Sequence, residues 1–171
     1  MKVRLQVSAS VRRSVPGGIR RALTRRLASA ARRVGVDPEQ HVTVRLTDDE
    51  EIARLHVDFM GLPGPTDVLS FPSEAPELDV DEMAADPSVI GPADDSLGDI
   101  VIAWPFAVRQ SAPRGAGPAA WQAEVVDLAL HGLAHLLGHD HGERAQARAM
   151  LRLEQRLARG AQMPAPQRPY R

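Results

Sequence analysis

Four of the six histidines stand within eleven residues, in the run His131-Gly132-Leu133-Ala134-His135-Leu136-Leu137-Gly138-His139-Asp140-His141. On a helix, His131 and His135 are one turn apart and face the same way, so two imidazoles can reach one ion at about 2.0–2.1 Å. Gly138 suits the end of that helix and a reversal of the chain, which lets a histidine just beyond it complete a triangle. His139 and His141 are the two candidates. A helical His139 would stand about 12 Å along the axis from His131, too far for one ion. His141 lies past the turn, is free to fold back, and is favoured. Three protein ligands leave one position open for water, the arrangement of catalytic rather than structural zinc. The expected cofactor is therefore one Zn2+ per chain, on His131, His135 and His141.

The residue after the first ligand is also informative. Zinc proteases of the His-Glu-x-x-His type place their general base there, and here it is Gly132. A metal site without that glutamate needs a proton acceptor from elsewhere. Asp140, between two histidines at the turn, is one candidate, and its competing role is to cap the turn. At 100° per residue, Glu124, Asp127, His131 and His135 occupy an arc of about 80°, while Trp121, Val125, Val126, Leu128, Leu130, Leu133, Leu136 and Leu137 cover most of the rest. The spacing predicts a buried helix with one polar seam facing the metal. Asp127, one turn from His131, is placed to orient an imidazole. Glu124, two turns away, is placed to meet substrate or a basic side chain.

The rest of the chain must position that helix. Val3, Leu5 and Val7 alternate with polar neighbours as a first strand, and Val42, Val44 and Leu46 as a second. Between them, after Pro16-Gly17-Gly18, apolar residues recur at helical spacing from Ile19 to Val34, and Gly35 supplies a stop. Thr47 with Glu50 reads as a capping box opening a short helix to about His56. Gly61 to Pro65 is a loop, Val68 to Phe71 a third strand, and Leu97 to Ala103 a fourth. Helical spacing returns from Ala119 to Leu137 and from Glu143 to Arg159. Strands mixed with helices, with too few connections for regular βαβ repeats, predict an α+β sandwich.

A length of 171 residues fits one domain, here over 1–160, with an acidic surface loop over 72–95 and a disordered tail over 161–171. The absence of cysteine excludes disulfides and thiolate metal sites. No apolar run approaches a membrane span and the start lacks the apolar core of a signal peptide, so a cytoplasmic location is expected. The net charge of -1 conceals a segregation: eight arginines and no acid lie from Val11 to Val36, and eight acids from Glu74 to Asp95. Arg21, Arg25 and Arg32 fall on one side of the first helix, opposite its apolar stripe. That side is either a solvated face or a phosphate contact.

His131-Gly-x-x-His135-x-x-Gly138-x-Asp140-His141 is similar to the signature of the YbeY family of single-strand-specific endoribonucleases. Pro65-Thr66-Asp67-Val68-Leu69-Ser70-Phe71-Pro72 resembles a second block of that family, and Leu97-Gly98-Asp99-Ile100-Val101-Ile102 and Glu124 match in kind and order. The resemblance spans roughly residues 40–155. It implies an α+β fold, with a small mixed four-stranded sheet, four to five helices and a metalloprotease-like zinc site. It further implies ribosomal RNA as substrate and roles in its maturation and in ribosome quality control. A ribosomal subunit, ribosomal protein or GTPase is the implied partner. His131, Asp140 and Ser70 are then the residues expected to serve catalysis, with Asp127 and His139 supporting the metal site and Arg21, Arg25 and Arg32 contacting RNA. Two departures stand out. Met60 occupies the place where members usually carry an arginine, with Arg54 and Arg109 as conceivable substitutes, and His139 stands where many have tyrosine. The alternatives are a ribosome-assembly binding factor with a structural metal, and a metallopeptidase, which Gly132 disfavours.

Overall fold

The computed structural model describes residues 1–73, 95–115 and 117–166. Its strands are β1 (Lys2–Val7), β2 (His41–Thr47), β3 (Val68–Pro72) and β4 (Ser96–Ala103). Its helices, among the described residues, are α1 (Gly18–Val34), α2 (Asp49–Met60), α3 (Trp104–Gln110), α4 (Pro118–Leu136) and α5 (Arg144–Ala161), with a single 3-10 turn at Ala112–Arg114. The sheet runs β1-β2-β4-β3, with β1, β2 and β4 parallel and β3 antiparallel on the β4 edge. This is the small mixed four-stranded sheet of an α+β fold.

Alternation along β4 divides the interior. Ile100 and Ile102 join Leu5, Val42, Val44 and Leu46 in a core closed by Leu23 and Leu27 of α1, Leu128 and Leu133 of α4, and Met150 and Leu157 of α5. Val101 and Ala103 face the other way, onto Leu69 of β3 and Ile52 of α2, with Leu55, Phe71 and Phe106 packed around them. Each strand residue therefore serves one face only, and the period of two decides which. Fully burying a leucine or isoleucine stabilises by about 1.5–3 kcal/mol, so the three-helix face carries most of the fold's stability. The histidine-bearing helix α4 lies on that face, directly over β4 and β3.

Several elements differ from the sequence expectation. The N-cap of α2 is Asp48, whose side chain accepts from Glu51 N at 2.8 Å, not Thr47. Thr47 is the last residue of β2, fully buried, and donates its hydroxyl to Glu51. The helix continues one turn past His56 to Met60, where Gly61 in the left-handed region (φ 67°) ends it. Helix α3 was not anticipated: it begins immediately after β4, with Pro105 in its first turn, and is too short to show a period. Of the expected acidic loop, Pro72 closes β3, Ser73 N donates to Leu97 O (3.1 Å), and Asp95 O accepts from His41 N (2.8 Å). The remainder, 74–94, lies outside the described residues. In the expected tail, Ala161 closes α5 and Met163 packs on the core, while 167–171 lie outside the described residues. Along the open edge of β1, Arg12 donates to Val7 O (3.4 Å) and Arg20 to Leu5 O (3.3 Å).

Candidate metal centre

Helix α4 is buried almost throughout, and its buried polar residues are Glu124, Asp127 and His131. It ends as the glycine spacing predicts. Gly138 takes φ 79°, its N–H donates to His135 O (2.9 Å), and the His139 N–H donates to Ala134 O (3.1 Å). This pair of bonds reverses the chain while satisfying the last helical carbonyls. His141 is thereby returned over the helix, and His131, His135 and His141 each offer a ring nitrogen within 4.8 Å of the others. Their ring centroids stand 4.8, 5.5 and 5.2 Å apart. Nitrogens on one tetrahedral zinc lie about 3.4 Å apart, given bonds of 2.0–2.1 Å. On that geometry the nitrogens would draw together by up to roughly 1.4 Å, and His141, the most exposed of the three, has the most freedom to move. The donor set fits a metal of the zinc type.

The carboxylate on the first histidine was missed by the sequence reading. Glu154 of α5 is buried at 3% exposure and its Oε1 lies 2.7 Å from His131 Nδ1. A carboxylate accepting from Nδ1–H leaves the lone pair on Nε2, the tautomer a metal requires. A signal for it existed: Ala147, Met150, Glu154, Leu157 and Ala161 follow a 3-4-3-4 spacing and are all buried, so an acid sits at a core position of the stripe. Asp127, expected to orient an imidazole, accepts from Arg114 Nη2 at 3.0 Å, and Glu124 accepts from Arg114 Nε at 2.7 Å. Arg114, unremarked in the sequence, thus joins the two buried carboxylates, and its charge compensates theirs.

His135 is held neutral. Burial first, then the neighbouring His131 and His141, push its pKa down from 6.5 to about 4, against opposing pulls from Asp140 and Glu154. At neutral pH its ring therefore offers a lone pair rather than a proton. Asp140 Oδ1 accepts from His141 N at 2.7 Å, so the turn-capping role holds. The same oxygen is 3.9 Å from His135 Nδ1, beyond hydrogen-bond reach.

A cavity of about 340 Å³ opens beside the histidines, lined by Met60, Val68, Leu69, Ser70, Pro72, His131, His135, Gly138, His139 and Asp140. Ser70, His139 and Asp140 all line this cavity. No Lys or Arg is among the described residues of that wall. A larger hollow, about 500 Å³, lies under Arg12 and Arg20, and its described lining holds no histidine or acid. Arg21, Arg25 and Arg32 are exposed on α1 and line neither hollow. Arg54 pairs with Glu50 at 3.7 Å, and Arg109 with Asp49 at 2.8 Å while lying over the Phe106 ring. Neither stands at Met60's place on the cavity wall.

Gly132 has a steric cause. A Cβ there would lie 2.7 Å from Ile100 Cγ2 and 2.9 Å from Ser70 Oγ. Helix and sheet meet at van der Waals distance, and a side chain after His131 would have to push Ile100 and Ser70 aside.

The family model described as Endoribonuclease YbeY matches residues 8–162. The protein named Endoribonuclease YbeY from Cutibacterium acnes is 42% identical over 125 residues, covering 73% of this chain and 74% of that one. Its namesake from Mycobacterium leprae is 38% identical over 135 residues, covering 77% and 71%. A solution structure of a Thermotoga maritima protein aligns over 98% of this chain and 99% of that one, at 18% identity and a TM-score of 0.48.

Proposed function

The chain belongs to the YbeY endoribonuclease family, and from that premise we propose that it is a zinc-dependent, single-strand-specific endoribonuclease of ribosomal RNA maturation and ribosome quality control. As an endoribonuclease it hydrolyses RNA phosphodiester bonds. The observation that carries the finer reading is the triangle of His131, His135 and His141, the first two of which line a cavity. A zinc ion bound there supplies Lewis-acid polarisation of the phosphodiester and a source of nucleophile.

The chain's own residues do the rest. The three histidines hold the ion, Glu154 fixes the His131 tautomer, and Asp140 pins the turn that presents His141. Asp140 also sets a carboxylate on the cavity wall, where it can accept a proton during attack. Ser70 lines the same cavity and has a hydroxyl for a phosphate oxygen. Beyond the cavity, Arg21, Arg25 and Arg32 form the exposed cationic side of α1 that contacts RNA backbone. We place this activity in one domain over 1–160, in the cytoplasm, with a ribosomal subunit or its associated proteins as partner. Among the described residues no helix is long and apolar enough to cross a membrane.

The test is cleavage of end-labelled single-stranded RNA by zinc-loaded protein. His131→Ala and His135→Ala should abolish it, and a duplex of the same sequence should resist. Full activity after chelation of the metal would refute the reading. A second reading, a ribosome-assembly factor with a structural metal, draws on Met60 and on the absence of Lys and Arg from the described cavity wall. Ligand variants that bind ribosomal subunits normally and complement a deletion strain would favour it.

A further inference from the structure

Among the described residues, the strongly exposed large apolar side chains gather in one place. Val57, Phe59, Met60 and Leu62 occupy the last turn of α2 and the loop after it, with Phe59 64% and Met60 51% exposed. Contiguous exposed apolar surface on a soluble protein marks an interaction site. Met60 belongs to the wall of the histidine cavity, so this patch is continuous with the site. Phe59 is steadied from below: its ring meets Phe71 edge-on, centroids 4.9 Å apart and planes at 68°. Phe71 precedes Pro72, another cavity-wall residue. An exposed aromatic ring, backed by Phe71, therefore adjoins Met60 of the cavity wall.

The charges nearby select what it can receive. The described cavity wall carries no Lys or Arg, Arg54 on the same helix pairs with Glu50 (3.7 Å), and exposed Asp58 adjoins Phe59. A phosphate gains nothing at this patch. A neutral, flat, apolar group gains the most, and a nucleobase of a chain entering the cavity is such a group. The patch spans one helical turn and a short loop, whereas a stable protein interface takes about 20–30 residues a side.

We propose that Phe59 and Met60 form a stacking shelf for one unpaired nucleobase adjacent to the phosphodiester held at the histidines. The proposal rests on the endoribonuclease reading and adds to it a source of strand selection. A base within a duplex is stacked and paired, and reaching the shelf costs a few kcal/mol of unstacking. A base in a single strand reaches it at little cost. Every base has a π face, so the shelf tolerates any sequence.

The test uses the zinc-loaded full chain and fluorescence anisotropy with a short labelled RNA whose linkages resist hydrolysis. A parallel set of RNAs has one nucleotide made abasic at each position in turn. Stacking on an aromatic residue contributes enough that Phe59→Ala should weaken binding at least about fivefold, while Phe59→Trp should bind as well as wild type. One abasic position should reproduce the loss in wild type and cause none further in Phe59→Ala. Equal affinities for wild type and Phe59→Ala, or a flat abasic scan, would overturn the shelf. So would unchanged RNA affinity combined with loss of binding to purified ribosomal subunits, or with loss of a dimer on sedimentation, either of which would assign the patch to protein. Cleavage of ordinary RNA is scored separately. A protein that shows the stacking pattern without cutting RNA would keep the shelf and lose the nuclease.

Discussion

Replacing Glu154 tests whether a buried carboxylate tunes the metal site. Its Oε1 is 2.7 Å from His131 Nδ1 and the residue is 3% exposed, so water cannot replace it. Glu154→Gln keeps the volume and an acceptor oxygen but removes the charge. Hydrogen bonds to charged groups contribute roughly 1.5–3 kcal/mol against about 1 for neutral ones, a difference of about 0.5–2 kcal/mol. Losing the outer partner of a ligating histidine typically weakens metal binding by about 10–100-fold, or roughly 1.4–2.7 kcal/mol. The two ranges overlap at about 10–30-fold, the expected loss of zinc affinity for the glutamine variant. Glu154→Ala should lose more, because it also strands His131 Nδ1–H in a buried space. Competition against a chromophoric chelator at fixed pH measures both, and melting of the metal-free proteins separates site effects from stability. Glutamine should lower the apo melting temperature by only about a few degrees while weakening zinc. Wild-type zinc affinity in both variants, whatever their melting temperatures, would refute the reasoning and reduce Glu154 to a packing residue.

His141→Ala should weaken zinc at least about 100-fold, whereas His139→Ala should change it little, and the same competition assay decides between them. Gly132→Ala gains about 0.5–1 kcal/mol of helix preference but drives a methyl to 2.7 Å from Ile100 Cγ2, which costs about 1–3 kcal/mol. A net loss of about 1 kcal/mol is expected from urea midpoints. Arg114→Ala leaves Glu124 and Asp127 buried without their guanidinium, and a destabilisation of about 3 kcal/mol should follow, read from the same midpoints. His135 has a folded pKa of about 4 against 6.5 when unfolded. Between those values the unfolded chain binds more protons, so the metal-free protein should lose stability as pH falls through that window. Substituting His135→Asn should flatten that part of the melting profile.

The histidine triangle was legible because helical spacing, a glycine stop and ring chemistry are local properties, all contained between His131 and His141. The strands were legible for the same reason: Val42, Val44 and Leu46 alternate, and they are buried. What escaped depends on distant partners. Arg114 sits in a three-residue turn, and only the packing of that turn against α4 gives it Glu124 and Asp127. Helix α3 lacks the length to display a period. Asp48 and Thr47 both favour helix caps, and the strand's claim on Thr47 settled the choice. Glu154 is the instructive case, since its place in a buried 3-4-3-4 stripe was visible. An acid at such a position asks which cation or imidazole lies opposite, and only the fold brings His131 there.

The contact between Gly132 and Ile100 also bears on how this chemistry is inherited. A glutamate after the first histidine is one or two nucleotide changes away in the gene, yet its Cβ would press on Ile100 and Ser70. Admitting it would require the contact to yield, through a smaller residue at 100, a repositioned Ser70 or a helix lifted off β4. The His-Glu-x-x-His arrangement is therefore separated from this one by packing as well as by chemistry. A library that randomises Gly132 together with Ile100 and Ser70 is where a crossing would be found.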